Sequence, residues 1–161
     1  MSLTTCLWFD GNAQAAAEFY VQNFPGSRLG GHEEESSNTS EAEIDTPVMV
    51  DFTIFDQPFM ALNGGPAFHF TPAISFQIPC ADQSEIDHYW DLLTTDGGEP
   101  GQCGWLCDKF GISWQVISPL MGRYLGGADA VGAQAALHAM LSMTKIDLEQ
   151  MRLVYESSLT S

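Results

Sequence analysis

Residues 104–119, GWLCDKFGISWQVISP, concentrate the side chains best able to do chemistry: Trp105, Trp114, Cys107, Asp108, Lys109 and Gln115. Gln115 stands mid-strand between Trp114 and Val116. An amide there can donate and accept hydrogen bonds, but it carries no charge. It can orient a ligand; it cannot supply the charge that a hard divalent cation takes from a carboxylate. Cys103 and Cys107 are four apart, so an extended strand puts both on one face. Zinc needs two more soft or imidazole ligands, and His32, His69, His88 and His138 show no ligand spacing. No basic group is placed in sequence to lower the pKa of Cys103, which argues against a nucleophile. His69, after Asn63-Gly64-Gly65-Pro66, is a candidate acid or base, although a loop histidine is usually solvated. Asp108 and Lys109 read as a hairpin-end ion pair, worth little if exposed. Trp8, Trp105 and Trp114 suit a core, and at least one is expected to wall a pocket.

The elements that must position these residues follow from periodicity. LTTCLWFD (3–10) reads as a strand, and Gly11-Asn12 breaks it with Asn12 as a helix N-cap. In NAQAAAEFYVQNF, Ala13, Ala16, Ala17, Phe19, Tyr20 and Phe24 fall on one side at helical spacing, and Pro25-Gly26 ends the helix. Residues 31–47 are acidic and aperiodic, hence a surface loop, with 31–46 expected to tolerate shortening. VMVDFTIFD (48–56) and FMALN (59–63) are strands joined by a turn at Gln57-Pro58. PAISFQIPC (72–80) is a strand, and Asp82 with Glu85 makes a capping-box-like start to a helix that buries Ile86, Tyr89, Trp90 and Leu93. A short strand near Gly101, CGWLCD, a turn at 109–111 and ISWQVIS follow. Asn12/Asp82 and Phe19-Tyr20/Tyr89-Trp90 recur at an offset of 70, which also pairs Thr5 with Ser75 and Trp8 with Ile78. The fold class is therefore α+β: two βαβββ modules, about 3–66 and 72–119, whose curled sheets enclose a cavity. Helices from about 120 to 156 extend this single domain, one capped by Asp147. Met140, Leu141, Met143, Leu148 and Met151 stripe them for core or dimer packing.

Composition narrows the function. The 161 residues suit one domain, and 45 % hydrophobic content suffices for a core. Net charge is −16 with five scattered basic residues, so no basic patch for nucleic acid or anionic membrane can be assembled. No apolar run reaches the roughly 18 residues that span a bilayer. The N-terminus lacks a secretion signal, which points to the cytoplasm.

CLWFDGNAQAAAEFYVQNFPGS, ALNGGPAF, AISFQ, DHYWDLL and CGWLCDKFGISWQVISP, in that order, resemble the PhnB-like proteins. These are also described as 3-demethylubiquinone 3-methyltransferase-like domains, within the glyoxalase, bleomycin-resistance and extradiol-dioxygenase (vicinal oxygen chelate) superfamily. The resemblance spans about residues 3–156. It implies, in metal-using members, a His or Gln in the first strand of each module and a Glu in the last, facing the cavity. Counted from the helix aromatics, those positions fall at Thr5, Ser75, near Asn63, and at Gln115. All four are neutral, so no metal and no cofactor is expected. Methyl transfer usually needs a glycine-rich strand–helix loop, and the Gly pairs here make no GxGxxG.

The expected function is small-molecule binding, with Thr5, Trp8, Asn63, Ser75, Trp105 and Gln115 lining the cavity. The bleomycin-resistance branch suggests a cationic ligand, which net −16 would favour. An enzyme of this fold and a remnant acting through its dimer surface are the alternatives. A homodimer is expected, with Leu141, Met143 or Met151 at or near the contact.

Overall fold

A computed structural model describes residues 3–30 and 48–158. The acidic loop expected at 31–47 lies outside them. The chain divides into two compact units, Met1–Phe70 and Thr71–Ser161.

The first unit runs β1 (Thr5–Phe9), α1 (Ala13–Asn23), β2 (Arg28–Leu29), β3 (Met49–Ile54) and β4 (Gln57–Asn63). Its sheet has the order β1-β4-β3-β2, with β1 parallel to β4 and the other pairs antiparallel. Three of the buried α1 residues are alanines (Ala13, Ala16, Ala17), which let the helix approach the sheet closely; Tyr20 is the fourth. The Tyr20 ring stacks 6.1 Å from Phe52, and Phe52 lies 5.4 Å from Phe59. Alternation along the strands puts Leu7, Phe9, Phe52, Ile54, Phe59 and Ala61 on this helix-covered face. Two expectations shift. The β3–β4 turn is Phe55-Asp56, both at positive φ (49° and 62°), with Gln57-Pro58 already in β4. Left-handed backbone is unfavourable for side chains with a Cβ; Phe55 is braced edge-on against Phe24, 5.5 Å away. The N-terminus of α1 is capped by Asn63, whose Oδ1 accepts from Ala13 N at 2.9 Å, while Asn12 makes no side-chain cap.

The second unit runs β5 (Phe76–Pro79), α2 (Gln83–Thr94), β6 (Glu99–Pro100), β7 (Trp105–Cys107), β8 (Ser113–Ile117), α3 (Met121–Leu125), α4 (Ala130–Ser142) and α5 (Leu148–Ser158). Its sheet has the order β5-β8-β7-β6, repeating the topology of the first. Both sheets are four-stranded and mixed, so the fold is α+β with C-terminal helices. Asp82 accepts from Glu85 N at 3.1 Å and Glu85 Oε2 accepts from Ala81 N at 2.7 Å, a reciprocal cap of the expected kind. Ile86, Tyr89, Trp90 and Leu93 are buried as their spacing required. Asp129 and Asp147 cap α4 and α5 by accepting from Gly132 N (2.6 Å) and Gln150 N (2.8 Å).

Within the second unit, the C-terminal helices are tied down by backbone bonds from Cys103 N to Met143 O (2.8 Å) and Gly104 N to Thr144 O (2.7 Å), and by the Gln83 amide. Gln83 Nε2 donates to Ile146 O (3.0 Å), and Gln83 Oε1 accepts from Leu148 N (2.9 Å). Met143 and Met151, expected near a dimer contact, are 7 % and 0 % exposed and belong to the core of their own chain.

Candidate functional site

Each sheet has one face under its helix and one face open. In the second unit the helix side takes Phe76, Ile78, Leu106, Trp114 and Val116. The register then fixes what stands on the open side. Gln77 pairs with Gln115, and Gln115 pairs with Trp105, so these three form one row across β5, β8 and β7. Ser75, two residues before Gln77, lies on the same side. Gln115 Nε2 donates to Ser75 Oγ at 2.7 Å, and Gln77 Nε2 donates to Gln115 Oε1 at 3.1 Å. Ser75, Trp105 and Gln115, three of the six residues singled out from sequence, thus come together. Gln77 is the member missed; alternation from Ser75 along SFQIP was the signal for it.

Gln115 is not a spare core amide. It is half-buried and is the centre of a directional chain, Gln77 to Gln115 to Ser75. Trp105 is half-buried beside it. Its indole has no ring partner and no hydrogen-bond acceptor among the described residues, unlike the two other tryptophans of interest. Trp8 Nε1 donates to Gly65 O at 2.8 Å, and its ring meets Phe68 edge-on at 5.0 Å. Trp114 Nε1 donates to Asp108 Oδ2 at 2.8 Å, and its ring lies 5.4 Å from Phe76.

Asp108 differs from the exposed ion pair expected of it. It is 3 % exposed, and its Oδ1 accepts from Phe110 N (2.9 Å) and Ile112 N (3.0 Å) while Oδ2 holds Trp114. It closes the β7–β8 hairpin and fixes Trp114 on the helix side. Alternation from Trp114 then turns Gln115 to the open side.

In the first unit, Trp8 stands on the open face with Cys6, Met49, Asp51, Met60 and Leu62. Gly64 permits its position: a Cβ there would lie 2.2 Å from a Trp8 ring carbon. Thr5 and Asn63 have the opposite parity. Thr5 pairs with Phe59 and Asn63 with Phe9, so both fall on the helix-covered side. The offset of 70 holds for the helix starts but slips by one residue in the strands: the covered residues are odd-numbered in β1 and even-numbered in β5. A one-residue slip exchanges faces, and that separates Thr5 from Ser75.

The donor sets do not fit a divalent cation. Ser75 and Gln115 are neutral and bonded to one another, and the Asn63 oxygen is committed to Ala13 N. Among the described residues no three His, Cys, Asp or Glu side chains gather to hold a metal ion.

The cysteines are all unpaired. Burial, with the charges of Glu85 and Asp82 adding, pushes the Cys80 thiol up to about 12. Burial also raises Cys107, helped by Asp108 and Glu99, and its Sγ lies 3.6 Å from Asp108 O. Neither is poised as a nucleophile. His69 is exposed, as expected of a loop histidine.

The second unit also carries an open groove of about 580 Å³ between α2 and the α4–α5 connection, lined by Gln83, Asp87, Lys145 and Asp147 among others. Its charges are spent internally. Lys145 Nζ lies 2.8 Å from Asp87 and 3.9 Å from Asp91. The hydrogen bond to Lys145, seconded by Gln83, holds the Asp87 carboxyl below its ordinary range, and Asp87 in turn raises Lys145. These groups clamp the C-terminal helices to α2. The volume therefore marks a structural joint, and the row on the open face is the better site.

The family model described as 3-demethylubiquinone-9 3-methyltransferase matches residues 1–117. It ends where β8 ends, so α3, α4 and α5 lie beyond it. A PhnB protein of Bacillus cereus is 30 % identical over 73 % of this chain and 99 % of its own, with a TM-score of 0.60. A protein of Pseudomonas aeruginosa shares the fold at 18 % identity, over 73 % of this chain and 97 % of its own, with a TM-score of 0.57. No curated protein matches the chain.

Proposed function

The chain belongs to the PhnB-like 3-demethylubiquinone-9 3-methyltransferase family, and on that premise we propose that it binds a small molecule without a divalent metal. The binding surface is the open face of its second sheet. The observation that carries this reading is the row Trp105–Gln115–Gln77 with Ser75. It joins an aromatic surface lacking a partner among the described residues to a hydrogen-bonding chain whose ends are uncommitted. Small-molecule sites combine these two features. Methyl transfer, which the family description names, gains no support from the residues: neither four-stranded mixed sheet is the doubly wound parallel sheet on which a glycine-rich cofactor loop usually sits.

Native mass spectrometry of protein purified without chelator tests the reading. An organic adduct lost in Gln115→Leu, with no stoichiometric metal, is expected. One metal ion per chain that disappears with the same substitution overturns it.

The reading includes a cytoplasmic homodimer. Four unpaired cysteines suit a reducing compartment. No helix among the described residues is long and apolar enough to cross a membrane. Helix α4 carries no charged side chain, and Val131, Leu137 and Leu141 on it are 66 %, 41 % and 55 % exposed. Between copies that each carry −16, an uncharged helix is the surface that repels least. Changing Leu137 and Leu141 to Glu should give a folded monomer by sedimentation. An unchanged dimer, or a monomeric wild type, removes this contact.

A further inference from the structure

We propose that the row on the open face recognises an uncharged, planar aromatic ligand through a carboxamide or carbonyl group; this rests on reading that face as the binding surface.

The chain of amides defines the chemistry. Gln77 Nε2 donates to Gln115 Oε1, and Gln115 Nε2 donates to Ser75 Oγ. That leaves the Gln77 carbonyl oxygen, the second N–H of each amide, and the Ser75 hydroxyl proton without partners among the described residues. Reversing both amides preserves the two contacts, with Ser75 donating to Gln115 and Gln115 donating to Gln77. In either sense the chain offers donors and acceptors together and no net charge. It can pair with a group that both donates and accepts, and it cannot offset the desolvation of an ion.

The neighbours oppose an anion. Glu99 pairs with Cys107 on the adjoining β6–β7 edge, one row from Trp105, and opposes an anion there. The chain's net charge of −16 opposes it further. On the row itself no carboxylate is present to pair with a cation. Trp105 supplies a ring face and an indole N–H. Beyond it Gly101, whose N donates to Trp105 O at 2.7 Å, has no side chain to cover the ring; a Cβ there would lie 2.8 Å from Trp105 O. A flat ring can lie on the indole while its carbonyl or carboxamide meets the Gln115 and Gln77 amides. A site of hydrogen-bonding groups rejects analogues that leave those groups unpaired.

The test uses the full chain labelled with nitrogen-15, with benzamide, benzoate and benzylammonium as probes. The readout is the side-chain amide signals of Gln77 and Gln115 and the indole N–H of Trp105. Benzamide should shift all three saturably, and about tenfold more tightly than either charged probe. Gln115→Leu should abolish that preference, with the Trp114 indole signal unmoved as proof of an intact sheet. If benzoate or benzylammonium binds these residues as tightly as benzamide, the ligand class is overturned while the face survives as a binding surface. If no probe moves these signals, or benzamide moves others instead, both the class and the face fall.

Discussion

Replacing Asp108 with Asn should cost this protein more than any other single-atom exchange near the site. The buried carboxylate accepts from Phe110 N and Ile112 N through one oxygen and from Trp114 Nε1 through the other. An asparagine can keep one of those arrangements. If its oxygen stays with the two backbone groups, its NH2 faces the indole N–H, and two buried donors oppose each other. If it turns over, the NH2 faces two backbone donors, which is worse. The cost is one hydrogen bond to a charged acceptor plus an unsatisfied indole, about 3 kcal/mol. Set against a typical domain stability of about 5–15 kcal/mol, that is a large fraction. With a urea slope of about 2 kcal/mol/M, the midpoint should fall by about 1.5 M. In a Trp114→Phe background the opposing donor is gone, so the same exchange should cost at least about 1 kcal/mol less. Urea unfolding followed by circular dichroism on the four proteins of this cycle measures both quantities. A loss below about 0.5 kcal/mol for Asp108→Asn, or strict additivity with Trp114→Phe, would refute the hairpin-closing role.

Thr53 is fully buried and its hydroxyl has no hydrogen-bond partner among the described residues, so Thr53→Val should stabilise by about 1 kcal/mol in thermal unfolding, since an orphan hydroxyl costs about that much. Iodoacetamide at pH 8 should label exposed Cys6 quickly and leave Cys80, buried and raised to about 12, unmodified until the protein unfolds. The Lys145–Asp87 pair should show its sign in pH. Asp87 is lowered by folding, so its contribution is complete above the ordinary aspartate pKa and is lost as pH falls through the folded value. Lys145 is raised, so its contribution is complete below the ordinary lysine pKa and is lost as pH rises through the folded value. Both groups are more than a third exposed, so Asp87→Asn should cost under about 1 kcal/mol between pH 5 and 9, and progressively less as pH falls through the folded Asp87 value.

The elements were legible because apolar periodicity and local capping act over a few residues. The α2 start shows this, with Asp82 and Glu85 three apart. What was not legible depended on parity or on partners distant in sequence. The repeat set by the helix aromatics gave an offset that the strands do not keep, and one residue moved Thr5 and Asn63 to the covered face. Asn12 was the obvious cap of α1, but its side chain makes no cap, and Asn63 takes the Ala13 N–H of the first turn from 50 residues away. Asp108 beside Lys109 looked like a surface pair, because nothing in the local sequence shows that the Trp114 indole folds back onto it. Gln115, Ser75 and Trp105 were legible as residues; their assembly into one row, and the inclusion of Gln77, needed the parallel register of β5 with β8.

An organic molecule, held without a metal, is expected on the open face of the second sheet. A high-resolution crystal structure of protein purified without chelator or dialysis against denaturant tests it most directly. Flat density over Trp105, within hydrogen-bonding distance of Gln115 or Gln77, is the expected result. A metal ion coordinated by Gln115, or organic density confined to the groove beside Lys145, would contradict it.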